Sequence, residues 1–521
     1  MSAHLPLLPI LVPLFAGALA LLFEHRRFGM LPQRIVAWVS LSVLLVVSLL
    51  LAREADTGRI AVYLMGDWPA RLGIALMVDR LAAMMLVLAQ LLGMACLLHA
   101  CGGWDRRAPH FHAFFQFQMM GLNGAFLTGD VFNLFVFFEV MLIASYGLML
   151  SGGRGERIRS GLHYVAFNIT ASTLFLISLG LLYGLLGTLN MAEIAAKIAT
   201  VPAQDLALVQ AAAGLLLVVF CAKAALLPMY LWLPQTYTHA PAAVAALFAI
   251  MTKVGLYAVL RAGTLTFGEL GPLGGFAWPA MLVLGGLGLA LATLGVLASK
   301  QLRALAAYLV LASAGTLFIA FALGTADTTA AGLYYLVHST FAGAALFLLA
   351  DLIRRRRGVA GDRKDVIAAL PDRKVPGVLF LLTAVSLAGL PPLSGFIGKV
   401  LLLAAVPAAH TGWVWALVLI SSLLALVGLT RAGTRLFWRV EPWPDASPER
   451  RAEFASAPVL APTSGRSLET AACVLLVGLG IAMAMFASPL QSYMRATALQ
   501  LYSPADYVNQ VRQTLPQERA P

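Results

Sequence analysis

Long apolar runs, each closed by a short polar stretch, repeat along almost the whole chain. Fourteen can be counted, near 4–23, 35–52, 74–101, 110–128, 131–150, 160–186, 207–233, 241–263, 277–299, 303–323, 329–353, 376–407, 412–436 and 468–489. A helix of about 20 apolar residues crosses the hydrocarbon core of a bilayer. Lipid offers no partner to an unpaired backbone amide, so such a segment must be helical. The pattern predicts an all-α polytopic membrane protein with about 14 transmembrane helices. No polar stretch is long enough for a soluble domain; the longest, about 439–467, reads as a loop.

Two runs are interrupted. The seventh, LLLVVFCAKAALLPMYLWLPQ, holds Pro228 and Pro234; the twelfth, LFLLTAVSLAGLPPLSGFIGKVLLLAAV, holds Pro391 and Pro392. Proline removes a backbone donor and clashes with the preceding turn. Within a membrane this is tolerated where the freed carbonyls are buried in protein or line a wet cavity. Two breaks five spans apart predict an internal repeat, spans 4–8 and 9–13. An odd number of spans per repeat makes the repeats inverted, and matched broken helices point to the transport site of such carriers. The chain then divides into N-terminal helices 1–3 (1–105), a first repeat (106–270), a second repeat (271–440), and a loop, helix and C-terminal tail (441–521).

Composition agrees: of 521 residues 60% are apolar and 12% charged, with a mean hydropathy of +0.85. The net charge of +12 raises the question of nucleic acid, and its placement answers it. Basic residues crowd alternate loops, among them Arg26, Arg27 and Arg34, Arg154, Arg157 and Arg159, and Arg354–Arg357. That is the positive-inside signature. It predicts odd-to-even loops in the cytoplasm and both termini outside. Residues 1–23 lack a basic leading region, which favours a retained first span over a cleaved signal peptide. Cys96, Cys101, Cys221 and Cys473 show neither metal nor redox spacing and read as packing residues. No metal-binding or cofactor-binding motif is expected.

Against this background a few charges stand out. Glu139 lies inside the fifth run, Lys223 in the seventh, Lys253 in the eighth, His338 in the eleventh and Lys399 in the twelfth. A charge at bilayer depth costs about 3 kcal/mol on insertion scales, so such residues face a bundle interior and mark ion or proton paths. A buried carboxylate or amine must be neutral or paired, and it exchanges its proton as partner and hydration change. Lys223 is the expected partner of Glu139, with its ammonium near carbonyls freed by the break. The plainer alternatives are an ion pair that only fixes packing and, for His338, a satisfied core histidine. Ser339 and Thr340 beside His338 carry hydroxyls that can order water. His239, after the break, is a further relay candidate. Asp351, next to Arg354, reads as interfacial; Ser145, Thr252, Tyr308 and Ser313 read as packing; His99, His110, His112 and His163 carry no specific signal.

Three segments resemble a known family: FNLFVFFEVMLIASYGLML (132–150), AKAALLPMYLWLPQTYTHAPAAVAALFAIMTKVGLYAVLR (222–261) and LAGLPPLSGFIGKVLLL (387–403). They resemble the antiporter-like subunits of respiratory complex I, and are closer still to the D-type subunit of the multisubunit Mrp (Mnh/Pha) monovalent cation/proton antiporters. The resemblance implies fourteen helices, two inverted five-helix repeats and broken helices seven and twelve. It implies a relay in which Glu139 is the acid of helix five, Lys223 the lysine of broken helix seven, Lys253 that of helix eight, His338 the connecting residue and Lys399 the terminal one. The most similar complex I subunit has glutamate at the last position, so Lys399 favours the D-type subunit. The chain also stops soon after the fourteenth run, without the lateral helix and extra spans of the larger A-type subunit. The implied function is a proton-translocating subunit of a Na+ or K+/H+ antiporter in a bacterial cytoplasmic membrane. It would be a secondary transporter with sister subunits, protons, monovalent cations and lipid as partners, and no nucleic acid. The alternative is a proton-pumping subunit of complex I or a membrane-bound hydrogenase.

Overall fold

The computed structural model describes residues 4–514 apart from 71–72, 154, 268–271, 369, 439–447 and 450–465. Helices α1 (Leu8–His25) and α2 (Met30–Ala55) are followed by an antiparallel hairpin, β1 (Ala61–Leu64) and β2 (Ala75–Val78), in register Ala61 to Val78. Next come α3 (Arg80–Cys101), α4 (Phe111–Leu127), α5 (Val131–Leu150), α6 (Gly155–Leu186), α7 (Met191–Ile198) and α8 (Leu206–Lys223). The chain continues through α9 (Trp232–His239), α10 (Ala242–Phe248), α11 (Met251–Arg261), α12 (Trp278–Ala298), α13 (Leu302–Ala322) and α14 (Ala326–Arg356). It ends with α15 (Lys374–Ala388), α16 (Ser394–Ala405), α17 (Thr411–Gly433), α18 (Arg466–Met485), α19 (Ala487–Leu501) and α20 (Pro504–Gln513).

Among the described residues, 12 helical stretches are long and apolar enough to cross a membrane. They fall on twelve of the fourteen expected runs. The fourth run is the 17-residue α4, and the twelfth is the pair α15 and α16. The protein is thus an all-α, multi-pass membrane protein. Outer helices turn Val39, Ile143, Leu162, Val283 and Leu423 outward, each more than half exposed. The centre is the 31-residue α14, which packs on α10, α13, α15, α16, α18 and α19.

Both expected breaks are present, and one begins earlier than the prolines suggested. Helix α8 ends at Lys223 itself, and helical geometry resumes at Trp232. Pro228 lies in that gap. Pro234 instead sits in the first turn of α9, where amides have no intrahelical partner and a missing one costs little. In the twelfth run α15 closes on Gly389, whose φ of +80° is the left-handed cap that favours glycine, and Pro391 and Pro392 separate it from α16.

One further feature departs from expectation. The C-terminal tail is largely helical: α19 lies along α14 and α3, and α20 packs on α7. Its Tyr507 ring lies 5.6 Å from the Arg261 guanidinium. Arg261 ends α11 and grips Asp79, the residue that caps α3, with bonds of 2.5 and 2.9 Å. The expected 439–467 loop falls almost wholly outside the described residues.

Candidate functional site

Glu139 lies on α5, half-buried, and accepts a short hydrogen bond from the Ser172 hydroxyl on α6. Lys223 is the last residue of α8 and is 5% exposed. The expected ion pair between them is not closed, because no Glu139–Lys223 contact lies within 4.0 Å. They remain neighbours: the charge of Glu139 acts on Lys223, whose Nζ stands 5.1 Å from the ring centroid of adjacent Phe138.

The carbonyls expected to receive Lys223 are already engaged. Phe220 O accepts from Ala224 N, Cys221 O from Leu226 N and Ala222 O from Trp232 Nε1, so Lys223 Nζ is left without a hydrogen-bond partner. That capture occurs at the other break instead. Lys399 Nζ donates to Ala388 O at 2.9 Å and reaches Leu387 O at 3.5 Å, the carbonyls that end α15. It also donates to Ser422 Oγ on α17 at 2.8 Å.

Between the two ends lie Lys253 and His338. Lys253, fully buried on α11, donates to Ser313 Oγ on α13 at 2.9 Å. Gly255, two residues on, brings α11 against the first break: a Cβ there would stand 2.5 Å from Ala224 N, so only glycine fits. The backbone carrying Lys253 is thereby pressed against the residue after Lys223. His338, on α14 and 2% exposed, shares a 2.9 Å hydrogen bond through Nδ1 with Ser394 Oγ, the first residue of α16. The hydroxyls of Ser339 and Thr340 both donate to Leu336 O of their own helix.

A cavity of about 30 Å³ is shared by His338, Lys399 and Ser313, the partner of Lys253; Thr316, Ser339 and Ser422 also line it, together with apolar side chains such as Leu289, Val296 and Val418. A water needs roughly 10–15 Å³ of such space and two or more polar partners, so about two waters fit. The structure therefore brings Lys253 (through Ser313), His338 and Lys399 to one space. Glu139 and Lys223 form a second neighbourhood beside it. His239 belongs to neither: its Nδ1 lies 3.0 Å from Ser160 Oγ and 2.9 Å from Gln235 O, at the half-buried end of α9.

Sequence reasoning missed Ser172, Ser394 and Ser422, and dismissed Ser313 as packing. No local signal marks them; Ser178, on the same helix as Ser172, merely donates to Ala212 O. It also missed buried charge outside the file. Asp351, near the end of α14, is 2% exposed and binds Arg354 and Arg355 at 2.6 and 2.8 Å. His99, given no role, lies 3.8 Å from Asp351. Buried Asp105, in the loop before α4, takes Arg34 at 2.6 Å and His112 at 3.3 Å. Burial pushes its carboxyl up, but the bonds from His112 and Arg34 prevail and hold it below the usual range.

A family profile described as "NADH:quinone oxidoreductase/Mrp antiporter, TM" matches residues 128–425, a stretch that contains Glu139, Lys223, Lys253, His338 and Lys399. The chain is 39% identical to the D-type subunit of the probable K(+)/H(+) antiporter of Rhizobium meliloti, over 98% of this chain and 97% of that one. It is 35% identical to the D-type subunit of the Na(+)/H(+) antiporter of Alkalihalophilus pseudofirmus, over 98% and 99%. Among solved structures it superposes on a chain of the Mrp complex from Dietzia with a TM-score of 0.85 at 27% identity, covering 98% of this chain and 100% of that one. A chain of respiratory complex I from Thermus thermophilus, at 24% identity and a TM-score of 0.72 over 96% and 100%, shares the fold. With its broken helices and buried amines in place, the chain belongs to the NADH:quinone oxidoreductase/Mrp antiporter family, on its D-type branch.

Proposed function

We propose that this protein is the proton-translocating subunit of a multisubunit Na+ or K+/H+ antiporter. Protons pass along Glu139, Lys223, Lys253, His338 and Lys399, with water completing the file. The observation that carries the reading is the cavity shared by Ser313, His338 and Lys399 inside membrane-spanning helices. A water-sized cavity with an imidazole and an amine on its wall suits proton hopping between them. A sodium or potassium cage needs a dense set of oxygen ligands, and the lysines here favour protons over metal ions.

The mechanism follows from the geometry. Glu139 and Lys223 attract one another without touching, so a proton arriving at Glu139 removes the attraction and frees the Lys223 ammonium, which no hydrogen bond holds. Movement of that charge toward Lys253 changes the field at the cavity, and His338 links the cavity to Lys399. The membrane potential supplies about 2.3 kcal/mol per charge per 100 mV. His239 stands apart from this path at the end of α9, and is read as a residue of the access route rather than of the relay.

Glu139 and Lys399 are each half-buried. A charge facing lipid costs about 3 kcal/mol, so the exposed surface at each is read as a face covered by a sister subunit. The basic loops favour a bacterial cytoplasmic membrane with both termini outside. The two breaks favour inverted repeats over helices 4–8 and 9–13 of the expected order. The second reading, a proton-pumping subunit of a redox complex, draws on the shared fold of the complex I chain. Co-purification with small antiporter subunits rather than with redox subunits separates the two.

The test is cation-dependent dequenching of a pH-sensitive dye in everted vesicles carrying the whole complex. Glu139→Ala or Lys223→Ala is expected to abolish dequenching while the complex still assembles. Full exchange by assembled Lys223→Ala complex refutes the relay.

A further inference from the structure

Four of the five titratable groups in the file are each held by one serine from another helix. Ser172 donates to Glu139, Ser313 accepts from Lys253 at 2.9 Å, Ser394 bonds His338 at 2.9 Å and Ser422 accepts from Lys399 at 2.8 Å. Other hydroxyls in these helices serve their own backbone, as Thr170 does with Ala166 O, Thr173 with Ile169 O and Thr340 with Leu336 O. Ser313 and Ser422 do both, also donating to Val310 O and Val418 O at 2.7 Å.

A hydroxyl has one proton and two lone pairs and rotates to suit its partner. Toward a charged lysine it accepts, while its proton goes to the carbonyl one turn back. Toward a neutral amine it can turn and donate. The carbonyl it leaves sits within a helix and retains its ordinary backbone bond, so the turn is inexpensive. Ser172 works in the reverse sense, donating to a carboxylate and accepting from a carboxyl. Nδ1 of His338 is a donor in one tautomer and an acceptor in the other, and Ser394 answers both. Lys223 alone has no such partner, only the Phe138 ring at 5.1 Å and the charge of Glu139.

We propose that Ser172, Ser313, Ser394 and Ser422 are positioning residues that keep their relay partners hydrogen-bonded in both protonation states. The inference rests on the relay reading above. It adds residues that neither charge nor proline pattern marks.

The experiment compares the pH profile of cation-dependent proton exchange in vesicles carrying the whole complex with wild-type protein, Ser313→Ala, Ser313→Thr, Ser422→Ala, Ser422→Thr or Lys253→Ala. A hydrogen bond to a charged group is worth enough to move a titration by about one pH unit. Each alanine variant is expected to shift the profile toward lower pH by about that much, and each threonine variant to restore it. A role confined to packing would lower the amount of complex without moving the profile. Should Ser313→Ala fail to assemble, Ser422→Ala at its half-buried site decides the matter. Alanine profiles that superimpose on wild type, with Lys253→Ala inactive, overturn the serine proposal and leave the relay in place. Wild-type exchange by Lys253→Ala overturns the relay and the proposal with it.

Discussion

A single methyl group at position 395 probes the geometry on which the relay depends. Gly395 follows Ser394 at the start of α16, pressed between the end of α15 and the imidazole of His338. A Cβ there would stand 1.9 Å from Ser386 O and 2.9 Å from both Cε1 and Nε2 of His338. A carbon needs about 3.3 Å from a carbonyl oxygen. The two helix ends must therefore separate by about 1.4 Å, the difference between that distance and 1.9 Å. The nearer obstacle, Ser386 O, is backbone and cannot swing aside, so the strain falls on backbone there and displaces the His338 ring tip as well. Overpacking of this kind costs about 1–3 kcal/mol. The same displacement pulls Ser394 from His338, stretching a 2.9 Å bond past the range in which hydrogen bonds act. Gly395→Ala is expected to lower the melting temperature of the purified complex and to abolish cation-dependent exchange in vesicles. Gly478→Ala, where a Cβ meets nothing within 4 Å, is the control and is expected to leave both unchanged. Wild-type melting and exchange in Gly395→Ala would refute the reasoning, because the close approach of α16 to His338 would then not constrain the site.

Further outcomes follow from the buried charges and thiols. Asp79→Asn leaves Arg261 buried with a weakened partner and is expected to destabilise the protein by about 3–5 kcal/mol; a melting temperature within error of wild type would contradict the pairing. Asp105 is held below the usual carboxylate range, so its contribution to stability is present above the unfolded pKa near 3.9 and lost as pH falls through the folded value. Asp105→Asn is expected to flatten the acid limb of a stability-against-pH curve. Asp130 has the opposite sign: burial pushes its carboxyl up to about 6, so its contribution is complete below about pH 4 and lost as pH rises through 6. Asp130→Asn is expected to remove a decline in stability over that window, read from melting curves at half-unit steps. Cys96, Cys101, Cys221 and Cys473 are free and at most 7% exposed. A charged maleimide is expected to label the native protein slowly and the detergent-denatured protein fully, as mass spectrometry would report.

The helical, membrane-spanning character could be read from the residues alone, and so could the five titratable positions. Both depend on costs that act locally. Lipid cannot solvate a bare amide or a lone charge, whatever lies on neighbouring helices. The prolines at 228, 391 and 392 marked both breaks for a similarly local reason, since the lost donor and the steric clash belong to the residue itself. Pro234 misled because a proline in the first turn of a helix breaks nothing.

Which group each charge meets was not legible, because every such contact crosses between helices. Glu139 finds Ser172 across 33 residues, Lys253 finds Ser313 across 60, His338 finds Ser394 across 56 and Lys399 finds Ser422 across 23. Capture of freed carbonyls fell to Lys399 rather than Lys223 because Trp232 and the turn amides had already claimed the first set. Asp351 reads from the sequence only as a residue near a helix end; that α3 and α18 close over it is decided by the packing. Composition and spacing thus settle that charge lies within the membrane and on which helices. Only the packing of those helices settles its partners, because hydrogen bonds of 3 Å depend on how helix axes cross, and no single segment carries that information.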